Sequence, residues 1–150
     1  MINNLVDYFL PEQEFYLERI TYNRLDKSPD IEEYLLNCTD RIKVENNNDY
    51  VRIMLERKLR FDPEEVFELS ISFGAVLKFN DEKKHEHNWN EINLSEEFRE
   101  NGEFVIHNLI ARITLLVAEI TSSYGQTPFI VPSQIVKKKN NWLYWWIYIF

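Results

Sequence analysis

The chain's patterning predicts an α+β domain in which a twisted antiparallel sheet of about four strands is backed by one long helix. Three observations carry that expectation. Apolar and polar side chains alternate on both sides of Asn46-Asn47-Asn48-Asp49, and a second long alternation runs from Val66 to Phe79. Phe104 to Tyr124 contains neither proline nor glycine and spaces its apolar residues by three and four. A period of two sends side chains to alternate faces of a strand, whereas spacing of three and four lines one side of a helix.

Taken in order, residues 1–12 (MINNLVDYFLPE) read as a lead-in arm. The first strand is expected at Phe15 to Leu25, rich in aromatic and β-branched residues though its alternation is imperfect. Residues 26–40 carry Pro29 among polar neighbours and read as a connection, with one helical turn at Ile31 to Leu36. A hairpin follows: Ile42 and Val44 alternate with Arg41, Lys43 and Glu45, and the asparagine run supplies residues that tolerate turn geometry. In its second arm Val51, Ile53, Leu55, Leu59 and Phe61 point one way, interrupted only by Arg57. Asp62-Pro63-Glu64-Glu65 forces a reversal, because proline cannot donate to a ladder. The last strand then sets seven residues from Phe67 to Phe79 on one face, and Gly74 within it marks a bulge, a bend or a close backbone approach.

Residues 80–102 are charged and read as a long connection that carries Trp89 and Phe98. The helix after it is apolar nearly all round, with Val105, Leu115, Leu116 and Ala118 opposite its main stripe, and Gly125 is its expected C-cap. That predicts burial on two sides, against the sheet and against a second subunit, with Leu109, Ile113, Leu116 and Ile120 as the interface residues. An extended segment with Pro128 and Pro132 follows, and nine aromatic or aliphatic residues, Trp142 to Phe150, close the chain. No run is read as long enough to span a bilayer as a helix.

At 150 residues a single domain, 1–150, is expected, with the arm 1–12 and an aromatic tail 141–150 as its ends. Aromatics make up 15% of the chain and glycines number 3, a composition for wide apolar contact. Cys38 is the single cysteine, so no internal disulfide is possible; with an opening unlike a signal segment, this predicts a cytoplasmic protein. A net charge of −8 argues against nucleic acid as a partner. His85-Glu86-His87 and His107 fix no third metal ligand, Cys38 has no neighbouring base, and the pairs Glu64-Glu65 and Glu96-Glu97 read as solvated turns or connections. No catalytic residue, metal or cofactor is expected. Trp89, Phe98, Phe129 and Ile130 lie in connections, where large apolar side chains either line a groove or form a satellite core.

Several stretches together resemble the bacterial export chaperone SecB and its relatives. FYLERITYNRL resembles that family's opening strand, and FELSISFGAVLKF (Phe67 to Phe79) its last strand. NLIARITLLVAEITSSYGQTPFIVPSQI (Asn108 to Ile135) resembles its long helix, the terminating glycine and the segment of spaced prolines. The resemblance implies ATP-independent holding of unfolded polypeptides, with export as one version of the role, by a homodimer or homotetramer. A dedicated chaperone for one partner such as an antitoxin, or a non-catalytic interaction module, are the alternatives it leaves. Clients would meet Trp89, Phe98, Phe129, Ile130, Trp142 and Trp145. The chain departs from the family in its charged 80–102 connection and in its aromatic end, where a polar tail engaging the ATPase SecA would be expected; both weaken the case for SecA as a partner.

Overall fold

A computed structural model of the chain describes residues 1–123, 127–135 and 145–148. Four long strands, β1 (Phe9–Arg24), β2 (Glu33–Asn46), β3 (Tyr50–Asp62) and β4 (Phe67–Phe79), are joined by a short β5 (Trp145–Tyr148). They form one sheet in the order β1-β4-β3-β2-β5, with every neighbouring pair antiparallel. Helices α1 (Leu94–Asn101) and α2 (Glu103–Ser122) lie on one face. The expected α+β architecture is therefore the observed one, with β5 added at the β2 edge.

Alternation accounts for the central strands. On β3 it buries Val51, Ile53, Leu55, Leu59 and Phe61 on the helix side, and on β4 it buries Phe67, Leu69, Ile71, Ala75, Leu77 and Phe79 there. Turn chemistry closes the hairpins at Asn47–Asp49 and at Pro63–Val66, where Asp62–Pro63 is cis and Val66 has a φ of 73°. Gly74 makes a close approach: the ring of Tyr16 on β1 crosses it, and a Cβ would stand 2.1 Å from that ring. Its pairing with Met54 on β3 continues without a break, so the irregularities lie on β1, a register shift between Phe9 and Gln13 and a bulge between Leu17 and Arg19. That bulge explains the imperfect alternation of the first strand.

Four expectations need correction. The segment 1–12 is not a free arm: Leu5 begins a 3-10 turn, β1 starts at Phe9, and Ile2, Leu5 and Phe9 are buried. Phe9 stacks on Phe79 at 5.1 Å between centroids, close to Trp89, Phe98 and Phe104, so a broad aromatic cluster draws the N-terminal residues in. There is no helical turn at 31–36, because Glu33 already begins β2 and Tyr34 and Leu36 point into the core. The 80–102 stretch holds two 3-10 turns and α1, capped by Asn93, whose side chain accepts from the Glu96 N–H. Gly102 turns the chain from α1 into α2 where a Cβ would meet the Phe98 carbonyl. Finally, α2 does have the length and mean hydropathy (1.6) of a membrane span; here its apolar stripe packs on β4 and β3. Gly125, the expected cap, lies outside the described residues.

Arg57, the single break in the β3 pattern, sits fully buried opposite Asp40 on β2. Its Nε donates to Asp40 Oδ1 at 2.7 Å and its Nη2 to Oδ2 at 2.7 Å. The remaining donors reach the chain beyond α2: Nη1 donates to the Pro132 carbonyl and Nη2 to that of Gln134 at 2.9 Å. Burial pulls the guanidinium pKa down, but the hydrogen bonds and charge of Asp40 outweigh it and raise the pKa overall. From α2, Thr121 Oγ1 accepts the Phe129 N–H at 2.9 Å. The 127–135 segment is thus tied to both layers, and it places Val131 in the core and Phe129 against Phe61 and Phe67.

Truncating Arg57 would strand a buried carboxylate. Arg57→Leu is expected to cost about 3–5 kcal/mol of unfolding free energy, with less loss when Asp40→Leu is added. Amide exchange at 129–134 should accelerate in the single variant. Denaturation curves within 1 kcal/mol of wild type would show that the pair contributes no net stability.

Candidate functional site

The apolar surface most open to a partner follows from where α2 stops. The helix packs over β4 and β3, and its Arg112 reaches β1 only as far as Phe15, 4.3 Å above the ring. Beyond that point Leu17, Ile20 and Tyr22 stand on the helix side, registered with Phe73, Ile71 and Leu69, yet they are 49%, 40% and 39% exposed. Leu115, one turn beyond Arg112, is 61% exposed. Strand β1 is also terminal in the sheet, so along its 16 residues the outward N–H and C=O groups meet no strand among the described residues. Long edges of this kind pair readily with another chain unless blocked.

A second apolar element is the 127–135 segment. Its anchored residues hold Ile130 outward at 71% exposure while Phe129 is half-buried. At the opposite end of the sheet, Tyr8 donates to Glu86 at 2.9 Å and meets His87 Nε2 at 3.0 Å. This clasp borders an open, amide-rich hollow between Asn46–Asn48 and 84–90.

The expected site residues divide accordingly. Trp89 and Phe98 are buried at 8% and 0% exposure in the aromatic cluster, so in this subunit they are core and not groove residues; the Trp89 indole is satisfied by the Lys84 carbonyl at 2.7 Å. Leu109 and Ile113 are likewise fully buried, because the stripe they share with Ile106 and Val117 faces the sheet. They are packing residues of this subunit, a correction to their expected interface role. Leu116 and Ile120 are half-buried and keep some surface. Trp145 opens β5, where its backbone is registered with Leu36, and Trp142 lies outside the described residues. Leu17, Ile20 and Tyr22 are absent from the expected site residues because the β1 bulge hides their common face, while Leu115 was expected only as part of the second apolar side of the helix.

The buried Cys38 and Tyr34 are kept uncharged, whereas Glu65 is kept ionised. Burial pushes the Cys38 thiol up to about 11, with Arg57 opposing and Asp40 adding, so it stays protonated and unreactive at neutral pH. Burial, with the Glu65 hydrogen bond at 2.6 Å, pushes Tyr34 up to about 12. Glu65 is held below its usual range by the Ser28 hydroxyl and N–H and by Tyr34. Among the described residues no group of His, Cys, Asp and Glu could hold a metal ion.

No protein-family profile and no curated protein matches the chain. Among solved structures it superposes on the SecB-like chaperone Rv1957 of Mycobacterium tuberculosis, solved in complex with a ChAD peptide from the antitoxin HigA1 (Rv1956). The TM-score is 0.61 at 15% identity, over 79% of this chain and 83% of that one. The chain has a SecB-like fold. At that identity the likeness is one of architecture.

The buried groups set a pH window for this SecB-like domain. Cys38 and Tyr34 have pKa values raised by folding, so their contributions are intact below about pH 9 and are lost as pH climbs toward 12. Glu65, with a lowered pKa, contributes above about pH 4.5 and loses that contribution in more acid solution. Chemical denaturation between pH 8 and 12 should show falling stability, and Cys38→Ser should flatten the part between 9 and 11. An unchanged slope in that variant would place the thiol in water.

Proposed function

We propose that the protein is an ATP-independent holding chaperone that binds unfolded or partly folded polypeptides through apolar surface and does no chemistry on them. The single observation that carries this is the SecB-like fold bearing large exposed apolar side chains on β1, α2 and the 127–135 segment. Affinity for clients of unrelated sequence must come from apolar area, and such area is what these side chains offer. The working unit is a homodimer or a pair of dimers joined through the β1 edge with Leu17, Ile20 and Leu115, since a long open edge is best protected by a permanent neighbour. Clients then meet the surface around Ile130 and Phe129. A reducing cytoplasm suits the protonated Cys38.

A second reading is favoured by one observation: Rv1957 was solved with an antitoxin peptide. On that reading this chain serves a single partner and not a broad set of clients. SecA is not required by either version.

Aggregation of a heat-denatured client should be suppressed without nucleotide at near-stoichiometric chaperone. Ile130→Ser should weaken that suppression several-fold while unfolding free energy stays within about 0.5 kcal/mol, as expected for an exposed position. Suppression of one co-purifying partner alone would support the dedicated reading, and no suppression of any would sink both. Light scattering should give at least a dimer at tens of micromolar, reduced to a monomer by Leu17→Glu with Ile20→Glu; a wild-type monomer would remove the proposed assembly.

A further inference from the structure

Beyond the short β5, strand β2 presents an edge of its own, built differently from that of β1. Strand β1 carries Pro11 and two register shifts against β4. Strand β2 has no proline and runs in step with β3 from Leu35 to Asn46 without an irregularity. Its exposed charges Arg41, Lys43 and Glu45 alternate onto the outer face, where Lys43 and Glu45 pair at 2.9 Å. Proline and bulges are among the usual means of blocking an edge, so β2 is the more regular template for a further strand. An occupant already sits there. β5 pairs antiparallel with Glu33–Leu36 and so covers four of the fourteen residues of β2; from Asn37 to Asn46 no strand among the described residues lies on that side. Four residues make a short strand. The sequence to which β5 belongs, Trp142 to Phe150, is entirely aromatic or aliphatic. The seat is continuous with the surface around Phe129: Leu36 is registered with Phe61, and the Phe61 ring has Tyr34 edge-on at 6.0 Å and Phe129 at 6.1 Å.

We propose that β5 is a built-in, displaceable occupant of this edge: an extended aromatic or aliphatic segment of another polypeptide pairs with β2 in its place and continues along Asn37–Asn46. This deepens the holding reading and rests on it, since an unfolded client offers the same material as the tail, an extended apolar chain. Pairing through the main chain is indifferent to client sequence, and alternate side chains of the added strand turn toward the surface that Phe129 borders. A longer strand displaces β5 because it gains the ten residues that β5 leaves uncovered. Until then the tail keeps part of the edge from pairing between copies of the chain. Apparent affinity for a client is lowered by the fraction of molecules in which β5 is seated.

The probe is a labelled peptide of the chain's own residues 137–150, titrated by fluorescence anisotropy into the full chain and into a chain cut after Asn140. Removing the tail should tighten binding at least about fivefold, with circular dichroism unchanged. Amide exchange should then show new protection at 37–46 when the peptide binds. In the full chain, Glu33→Cys/Tyr148→Cys joins two register partners, so oxidation should fix β5 in place and weaken peptide binding at least about fivefold, and reduction should restore it. Equal affinity with and without the tail, protection confined to 127–135, or binding indifferent to oxidation would each overturn the proposal. If truncation costs the fold, the locked chain, which keeps the whole tail, decides alone. Aggregation assays on the same chains separate this proposal from the holding reading. Peptide pairing at β2 without suppression of any client would remove holding and leave the seat, whereas suppression unchanged by truncation and by the lock would remove the seat and leave holding.

Discussion

The buried pair Arg57–Asp40 is the interaction on which the layering of this protein depends. It interrupts the apolar face of β3, and an isolated guanidinium there would be too costly to bury. Asp40 neutralises it from the neighbouring strand, and the guanidinium spends its other donors on the Pro132 and Gln134 carbonyls. A side chain that looks like a fault in the sheet is therefore what joins the sheet to the chain returning from α2. Val131 and Phe129 complete the core at that end because this latch and Thr121 hold their backbone in place.

The other end of the sheet is closed by rings instead of charges. Phe9, Phe79, Trp89, Phe98 and Phe104 meet within about 5–6 Å of one another, and the charged stretch that follows β4 folds inward to contribute two of them. With one end latched by Arg57 and the other filled by aromatics, α2 covers β3 and β4 but not the second half of β1. The exposed Leu17, Ile20 and Tyr22 are the result. A subunit built in this way has an edge strand whose outward backbone groups are free to pair with another chain.

The two faces of the sheet have been given different work by the same alternation. Most residues that turn toward α2 add to the core or to the open apolar strip, while their neighbours in sequence build an outer face of mixed charge, with Lys43 beside Glu45 and Arg60 beside Glu68.

The strands β3 and β4, the turns around Asn47 and Pro63, and the extent of α2 were legible in the sequence, because a period of two or of three to four is a local property that neighbouring residues impose on one another. The role of Gly74 as a close approach was among its readings for the same reason. Which side of α2 is covered was not legible, since Leu109 and Leu116 are equally apolar and only the position of the sheet decides that the first is buried and the second half-open. Trp89 and Phe98 read in the sequence as either groove or satellite core, and only their distant partner Phe9 decides for the core. Arg57 was visible as an interruption, but its meaning required Asp40, 17 residues away, and Pro132, 75 residues away. Sequence determines periodicity because that is written within a few residues; burial and charge pairing are decided by tertiary structure because their partners come from far along the chain.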